Sequence, residues 1–184
     1  MKHARVEKAS LLVFKMVFYT LSSGWGYLLY RDSEMMPSWL GGDGDVLNLF
    51  KSYPYATQHP GLLIYSLVQM GYVIEDIFEH LFLQHRTNDF WEMNFHDFLS
   101  VSLFGSMIVT NTIMFGAMIS LLHNLSDIPT TITRVLSQTK FKNGTILTFL
   151  INIVVWTATR LVMLPILLIA GWKNLVFPIE LSQF

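Results

Sequence analysis

The segment over residues 92–127 constrains the fold most strongly. It is apolar, carries no charge over residues 99–122, and has a histidine near each end, His96 and His123. One membrane-spanning helix needs about 20 residues, so a segment of this length predicts two helices rather than one. Polar residues at 110–112 lie at its centre and predict the break between them. Because a helix rises about 1.5 Å per residue, two antiparallel helices that meet there bring both histidines to the same depth.

The whole chain has the composition of a membrane protein. Of its 184 residues, 52% are hydrophobic and only 14% are charged, and its mean hydropathy is +0.44. The formal net charge of −1 gives no electrostatic basis for binding nucleic acid. The sequence contains no cysteine, which excludes disulfides, thiol catalysis and cysteine-bound zinc. We therefore expect an all-α integral membrane protein that forms a single domain over residues 1–184.

Apolar segments predict about five transmembrane helices. The predicted spans lie at about residues 9–30, 61–82, 93–109, 111–125 and 146–170. Gly24 and Gly26 in the first span allow close approach of a neighbouring helix. The connection between the first two spans is polar and contains glycine and proline, which predicts turns there rather than another span.

Ionisable side chains within such spans are energetically expensive and therefore indicate function. Near the histidine-bearing helices they are His96, Asp97, His123, Asp127 and Arg160, and at the end of the second span they form an acidic cluster, Glu75, Asp76 and Glu79. A histidine beside a carboxylate is suited to acid–base or nucleophilic catalysis, because the carboxylate fixes its tautomer. A metal site is disfavoured, since the chain has no Glu-x-x-His and no His-x-x-x-His spacing. Structural pairing of these groups with one another remains a third possibility.

Helical spacing predicts a carboxylate partner for each histidine. Glu92 precedes His96 by four residues and Asp127 follows His123 by four, the separation at which side chains on one helix face meet. Asp97 follows His96 directly, so the two side chains point about 100° apart around the helix. Spacing alone therefore favours Glu92 as the partner of His96 and Asp127 as the partner of His123.

The order and spacing of these residues resemble the TLC domain family, and within it the ceramide synthases. The matching positions are Asp89-Phe90, His96-Asp97, Asn111, Gly116, His123-Asn124 and Ser126-Asp127, with further similarity at Phe18-Tyr19, Trp39, Tyr53-Pro54-Tyr55 and Thr159-Arg160 through Pro165. The resemblance covers roughly residues 10–175. It implies a barrel of transmembrane helices around a lipid-accessible cavity, in which an acyl group from acyl-CoA is joined to the amine of a sphingoid base.

The resemblance also implies which residues form the site. The candidate catalytic residues are His96, Asp97, His123 and Asp127, and the polar residues of the lipid cavity are Asn111, Asn124 and Arg160. No metal or cofactor is implied, and acyl-CoA enters only as a substrate. The implied membrane is the endoplasmic reticulum.

The chain departs from the family pattern at several of these positions. Asp97 stands where the family has the second histidine of a pair, Asn124 where it has aspartate, and Met114 where it has a basic residue. A final core helix is also expected after Arg160 and Pro165 and is absent from the sequence. An incomplete barrel would expose its polar interior to lipid, so a partner subunit is expected to close it.

These departures favour a catalytically degenerate protein that serves as an accessory or structural subunit of a larger membrane complex and binds lipid. Such a role would also be compatible with a mitochondrial or other organelle membrane. The alternative is an active N-acyltransferase, in which Asp97 and Asn124 represent an exchange of the carboxylate between the two helices. A lipid-binding protein that acts alone is a third possibility.

Overall fold

The computed structural model describes residues 2–51, 53–55, 57, 59–83 and 90–176, and these residues form helices and turns without a strand. The helices are α1 (Lys2–Tyr30), α2 (Pro60–Phe78), α3 (Phe90–Val109), α4 (Ile113–Ser137), α5 (Lys142–Trp156) and α6 (Leu164–Val176). A π-helical segment, Glu79–Leu83, extends α2, and another, Thr157–Met163, joins α5 and α6 into one continuous helix. The all-α class is therefore confirmed, with five continuous helices in the described part of the chain.

Helix α4 lies at the centre of the fold. Its residues Ala117, Met118, Leu121 and Leu122 are almost completely buried, and their spacing places them along one apolar stripe of a helix. Helices α1, α2, α3 and α5 all pack against α4. The C-terminal end of α1 is attached to it by a hydrogen bond of 2.5 Å from the Tyr30 hydroxyl to the Met114 carbonyl. The helix that carries His123 is thus held from several sides.

The predicted break in the central segment is confirmed. Helix α3 ends at Val109 and α4 begins at Ile113. Asn111 between them has a φ of +59°, a left-handed conformation that asparagine tolerates better than most residues. The Asn111 side-chain amide donates a 2.6 Å hydrogen bond to the carbonyl of Pro54, which fastens the turn to the connection between α1 and α2.

The helix bounds extend beyond several predicted spans. Helix α4 continues to Ser137, although the predicted span ended at residue 125. Asp127 lies in this extension and is paired with Arg160. Among the residues that the structure describes, two helices are apolar enough by length and composition to cross a membrane, Pro60–Phe82 and Lys142–Asn174.

The two glycines of α1 have different surroundings, and this difference predicts the effect of substitution. A Cβ atom at Gly26 would lie 2.9 Å from the Tyr65 hydroxyl and 3.3 Å from Leu121, whereas one at Gly24 would meet nothing within 4 Å. Because Tyr65 is fully buried, we expect Gly26→Ala to lower the free energy of unfolding by about 1–3 kcal/mol, as overpacking does. Gly24→Ala is the matched control and should be neutral or slightly stabilising. Thermal unfolding of both variants in detergent tests this, and equal melting temperatures would contradict the packing.

Candidate functional site

A cavity of about 160 Å³ lies between α1, α2, α3, α4 and the π-helical segment that contains Arg160. Six of the seven residues predicted to form a site line it: His96, Asp97, His123, Asn124, Asp127 and Arg160. The hairpin at residues 110–112 brings the two histidines, 27 positions apart in the sequence, to the same space. The side chains of Leu103, Phe104 and Ile119 give the cavity apolar walls. It therefore combines ionisable groups with an environment suited to hydrocarbon.

Asn111 is placed differently from its prediction as a polar residue of the lipid cavity. It lies in the turn at the far end of the hairpin and is not among the residues that line the cavity. Its amide contacts the Pro54 carbonyl instead. The left-handed backbone at this position accounts for an asparagine there in structural terms.

The Asp97 carboxylate lies between two histidines. Its Oδ1 is 3.2 Å from Nδ1 of His96, and its Oδ2 is 3.2 Å from Nδ1 of His80. The side chain of Asp97 is 13% exposed and that of His80 is 5% exposed, whereas that of His96 is 65% exposed. The partner favoured by helical spacing, Glu92, is exposed. The His96 ring is thus accessible to a bound molecule, and the adjacent Asp97 carboxylate contacts its Nδ1 atom.

A carboxylate accepts hydrogen bonds and does not donate them. When both histidines are neutral, each Nδ1 that contacts Asp97 must therefore carry the proton. The lone pair of the His96 ring then resides on Nε2. A histidine in this state is suited to accept a proton or to attack an electrophilic carbon.

His123 and Asp127 do not form the pair that their spacing favours. Nδ1 of His123 lies 2.9 Å from the Ile119 carbonyl oxygen one turn earlier. Because that oxygen can only accept, Nδ1 carries the proton and Nε2 the lone pair. Oδ1 of Asp127 accepts a 2.8 Å hydrogen bond from Nη2 of Arg160, and Nε of Arg160 donates to Oγ of Ser126 at 2.9 Å. Asp127 therefore acts mainly as the partner of Arg160.

Asn124 belongs to a buried polar network between three helices. Its Nδ2 atom lies 2.8 Å from Oγ of Ser22, 3.2 Å from Oη of Tyr65 and 3.1 Å from Oε1 of Gln69. Gln69 in turn donates to Ser22. An aspartate at residue 124 would place a second acceptor against Oε1 of Gln69 and would bury a charge. The network explains why an amide stands at this position.

Sequence analysis did not single out two tyrosines that line the cavity, Tyr19 and Tyr72, as site residues, whereas Asp76, which also lines it, belongs to the acidic cluster named as a candidate. The Tyr72 hydroxyl donates to that of Tyr19 at 3.1 Å, and the Tyr72 ring stacks on Phe18 with centroids 3.9 Å apart. Tyr19 belongs to the Phe18-Tyr19 pair at which the sequence resembles the family, so the resemblance could have identified it as a site residue. Tyr72 lies in an apolar run, where one more tyrosine has no distinguishing pattern.

The acidic residues at the end of α2 pair with a lysine from α1. Carboxylate oxygens of Glu75, Asp76 and Glu79 lie close enough together to surround a cation. Nζ of Lys15 is 2.5 Å from Asp76 and 3.6 Å from Glu79. The lysine ammonium thus already provides a positive charge at this cluster.

Comparison with known proteins supports the family suggested by the residue pattern. Ceramide synthase hyl-2 of Caenorhabditis elegans is 27% identical over 89% of this chain and 47% of its own length. ASC1-like protein 3 of Oryza sativa subsp. japonica is 23% identical over 100% of this chain and 63% of its own length, and ceramide synthase 4 of Mus musculus is 28% identical over 83% and 37%. The chain thus spans about half the length of the relatives it matches.

The family model itself covers most of the chain. The model described as the TLC domain matches residues 8–178, a range that includes all six described helices from within α1 to the end of α6. Both histidines, the Asp127–Arg160 pair and the whole cavity lie inside it. Because this family model matches residues 8–178 of the 184, including the histidine-bearing hairpin, the chain belongs to the TLC domain family.

Proposed function

We propose that this chain is a membrane-embedded lipid N-acyltransferase of the ceramide synthase kind, which joins the acyl group of an acyl-CoA to the amine of a sphingoid base. The observation that carries the proposal is the hydrogen-bonded His96–Asp97 pair on the same cavity as His123. The sequence favoured a degenerate site because Asp97 and Asn124 replace the histidine and the aspartate of the family pattern and because a final helix is missing. The contact of Asp97 with His96 supports retained catalysis instead, since it supplies a carboxylate from the other helix.

The residues can perform the proton transfer that this reaction needs. The amine nitrogen attacks the thioester carbon, an N–C bond forms and the C–S bond breaks. Nε2 of His96 accepts the proton that the amine loses, and that proton then goes to the departing sulfur, so that an amide and free CoA result. His123, whose Nε2 also carries a lone pair, is placed on the same cavity to assist.

The size of the cavity is consistent with lipid substrates that remain partly in the bilayer. At about 160 Å³ it is smaller than the roughly 300–1,000 Å³ of pockets that enclose a whole ligand. We propose that it holds the reacting ends of the two molecules while their hydrocarbon chains extend into the membrane. In this arrangement α1, α3 and α4 cross the bilayer together with the two more apolar helices, and the endoplasmic reticulum is the proposed membrane by family resemblance.

The proposal is tested by reconstituting the full chain in lipid vesicles with an isotope-labelled long-chain acyl-CoA and a sphingoid base. Mass spectrometry should detect an N-acylated product whose amount increases with protein and with time. His123→Ala should lower the rate about 10²-fold or more, the usual scale of an acid–base contribution. A folded, reconstituted protein that forms no amide with medium-, long- or very-long-chain acyl-CoA would overturn the proposal.

A second candidate function is that of a non-catalytic, lipid-binding subunit of a membrane complex. It is favoured by Asn124, whose amide is held in a buried structural network next to His123 and provides no charge to the cavity. This role allows a mitochondrial or other organelle membrane. Lipid that co-purifies with the protein, a native mass well above 21.2 kDa and no turnover would together support it.

A further inference from the structure

His80 lies behind the cavity at a point where no role has been assigned to it. It stands in the π-helical segment Glu79–Leu83 at the end of α2, and only 4% of the residue is exposed. Its one described hydrogen-bonding contact joins Nδ1 to Oδ2 of Asp97 at 3.2 Å. It is not among the residues that line the cavity, and among the described residues its hydrogen bond to Asp97 connects it to the site.

We infer that His80 is a positioning residue, which fixes the side chain of Asp97 and through it the orientation and tautomer of His96. This inference rests on the proposed acyl-transfer function of the site. Nδ1 of His80 donates a hydrogen bond to Oδ2 of Asp97, and Oδ1 of Asp97 accepts one from Nδ1 of His96.

The helix geometry explains why Asp97 needs such a partner. His96 and Asp97 are adjacent on α3, where successive side chains point about 100° apart. Their contact therefore requires one particular rotamer of Asp97, which must turn back toward the preceding residue. A hydrogen bond from a second helix to the other carboxylate oxygen selects that rotamer. A carboxylate with both oxygens engaged also has less freedom to rotate away from His96.

The charges around His80 leave it available for this task. Asp76 lies four residues before His80 on the same helix, a spacing that favours a local pair. Asp76 is instead bound by Lys15 of α1, whose ammonium also lies near Glu79. Glu75 is a further acidic residue at this end of α2 and interacts electrostatically with His80. Asp127 and Arg160 are paired with each other, and their charges act on His96 from α4 and from the second π-helical segment. Among the described residues, the carboxylate that the His80 ring contacts by a hydrogen bond is that of Asp97.

An imidazole also lies close to the position where the family pattern has its second histidine, but it comes from a different helix. Asp97 occupies the sequence position where that histidine is expected, and His80 supplies an imidazole from another helix directly behind it. In this chain two imidazoles and one carboxylate are in contact. These three groups are brought together only in the folded protein.

Two substitutions of His80 distinguish a positioning role from a role that needs the imidazole itself. Asparagine can place a side-chain N–H close to the position of the histidine Nδ1–H, whereas leucine removes the donor. We expect His80→Leu to lower kcat about 10–100-fold, the loss seen when a metal-binding histidine loses the partner that orients it, with little change in KM. His80→Asn should retain kcat within about threefold. If His80→Asn loses as much as His80→Leu, the imidazole itself is needed and positioning is wrong.

A double variant tests whether His80 acts on His96 through Asp97. Asp97→Asn should lower kcat on its own, and adding His80→Leu to it should produce little further loss, because the two residues act through one contact. Additive losses would overturn the inference. Circular dichroism and size-exclusion profiles of each variant check that the protein remains folded.

A spectroscopic measurement separates this inference from the proposed function. In protein labelled with ¹⁵N-histidine, the ring nitrogen shifts of neutral His96 should report the Nδ1–H tautomer. His80→Leu should produce a mixture that includes the Nε2–H form, and His80→Asn should not. This result is expected whether or not amide formation is detected. An unchanged His96 tautomer in folded His80→Leu would overturn the positioning role even if the enzyme is active.

Discussion

His96→Ala is expected to lower the rate of amide formation by about 10³-fold, within the range that acid–base groups contribute. The substitution removes the Nε2 lone pair that accepts the amine proton. It also leaves the Asp97 carboxylate with one histidine partner instead of two. The loss appears as a lower kcat when product formation in vesicles is measured with both substrates at saturating concentrations.

Ser102→Ala provides the matched control for this experiment. Ser102 lies on the same helix, is exposed and does not line the cavity, so its variant should keep the full rate. An His96→Ala protein that retains more than about a tenth of the activity would exclude His96 from proton transfer. If neither protein forms product, the non-catalytic candidate function is favoured.

Arg160→Met is expected to destabilise the fold by about 3 kcal/mol or more, because it leaves the Asp127 carboxylate without its cation. The Arg160–Asp127 ion pair is 2.8 Å long, and the two side chains are only 20% and 29% exposed. The pair also connects the π-helical segment Thr157–Met163 to α4. Loss of the arginine therefore removes an attachment between the long C-terminal helix and the central one. Thermal unfolding of the full chain in detergent measures the change.

The double variant Arg160→Met with Asp127→Asn tests the cause. Because it removes both charges, it should recover a large part of the lost stability, as replacement of a whole buried pair does. Lys173→Met removes an exposed cation from α6 and is the control for loss of charge alone. If the double variant is no more stable than Arg160→Met, the destabilisation arises from lost packing of the arginine side chain.

The central hairpin shows how much of the fold local sequence can predict. A segment too long for one span, with its polar residues at the centre, can satisfy both lipid and backbone only by turning there. The turn at 110–112 and the joint cavity of His96 and His123 follow from that constraint. The pairing of Asp127 in the extended part of α4 does not, because its partner Arg160 lies 33 residues away along the chain.

The partners of the site residues were the least predictable part. Spacing on one helix favoured Glu92 for His96 and Asp127 for His123, since i,i+4 side chains meet on an isolated helix. In the folded chain His96 contacts its neighbour Asp97, and Asp127 contacts Arg160. His80 on α2 and Lys15 on α1 enter from helices whose approach no local pattern specifies.

Hydropathy, helix length and residue order are local properties. They were enough to predict the all-α class, the number of long helices, the turn that folds the histidine-bearing segment back on itself and the TLC family pattern. Which polar groups pair, the place of Asn111 in the turn and the place of Asn124 in a buried network became visible only in the folded chain. A hydrogen bond between helices depends on their relative position and rotation. Those are set by the packing of all the helices together around α4.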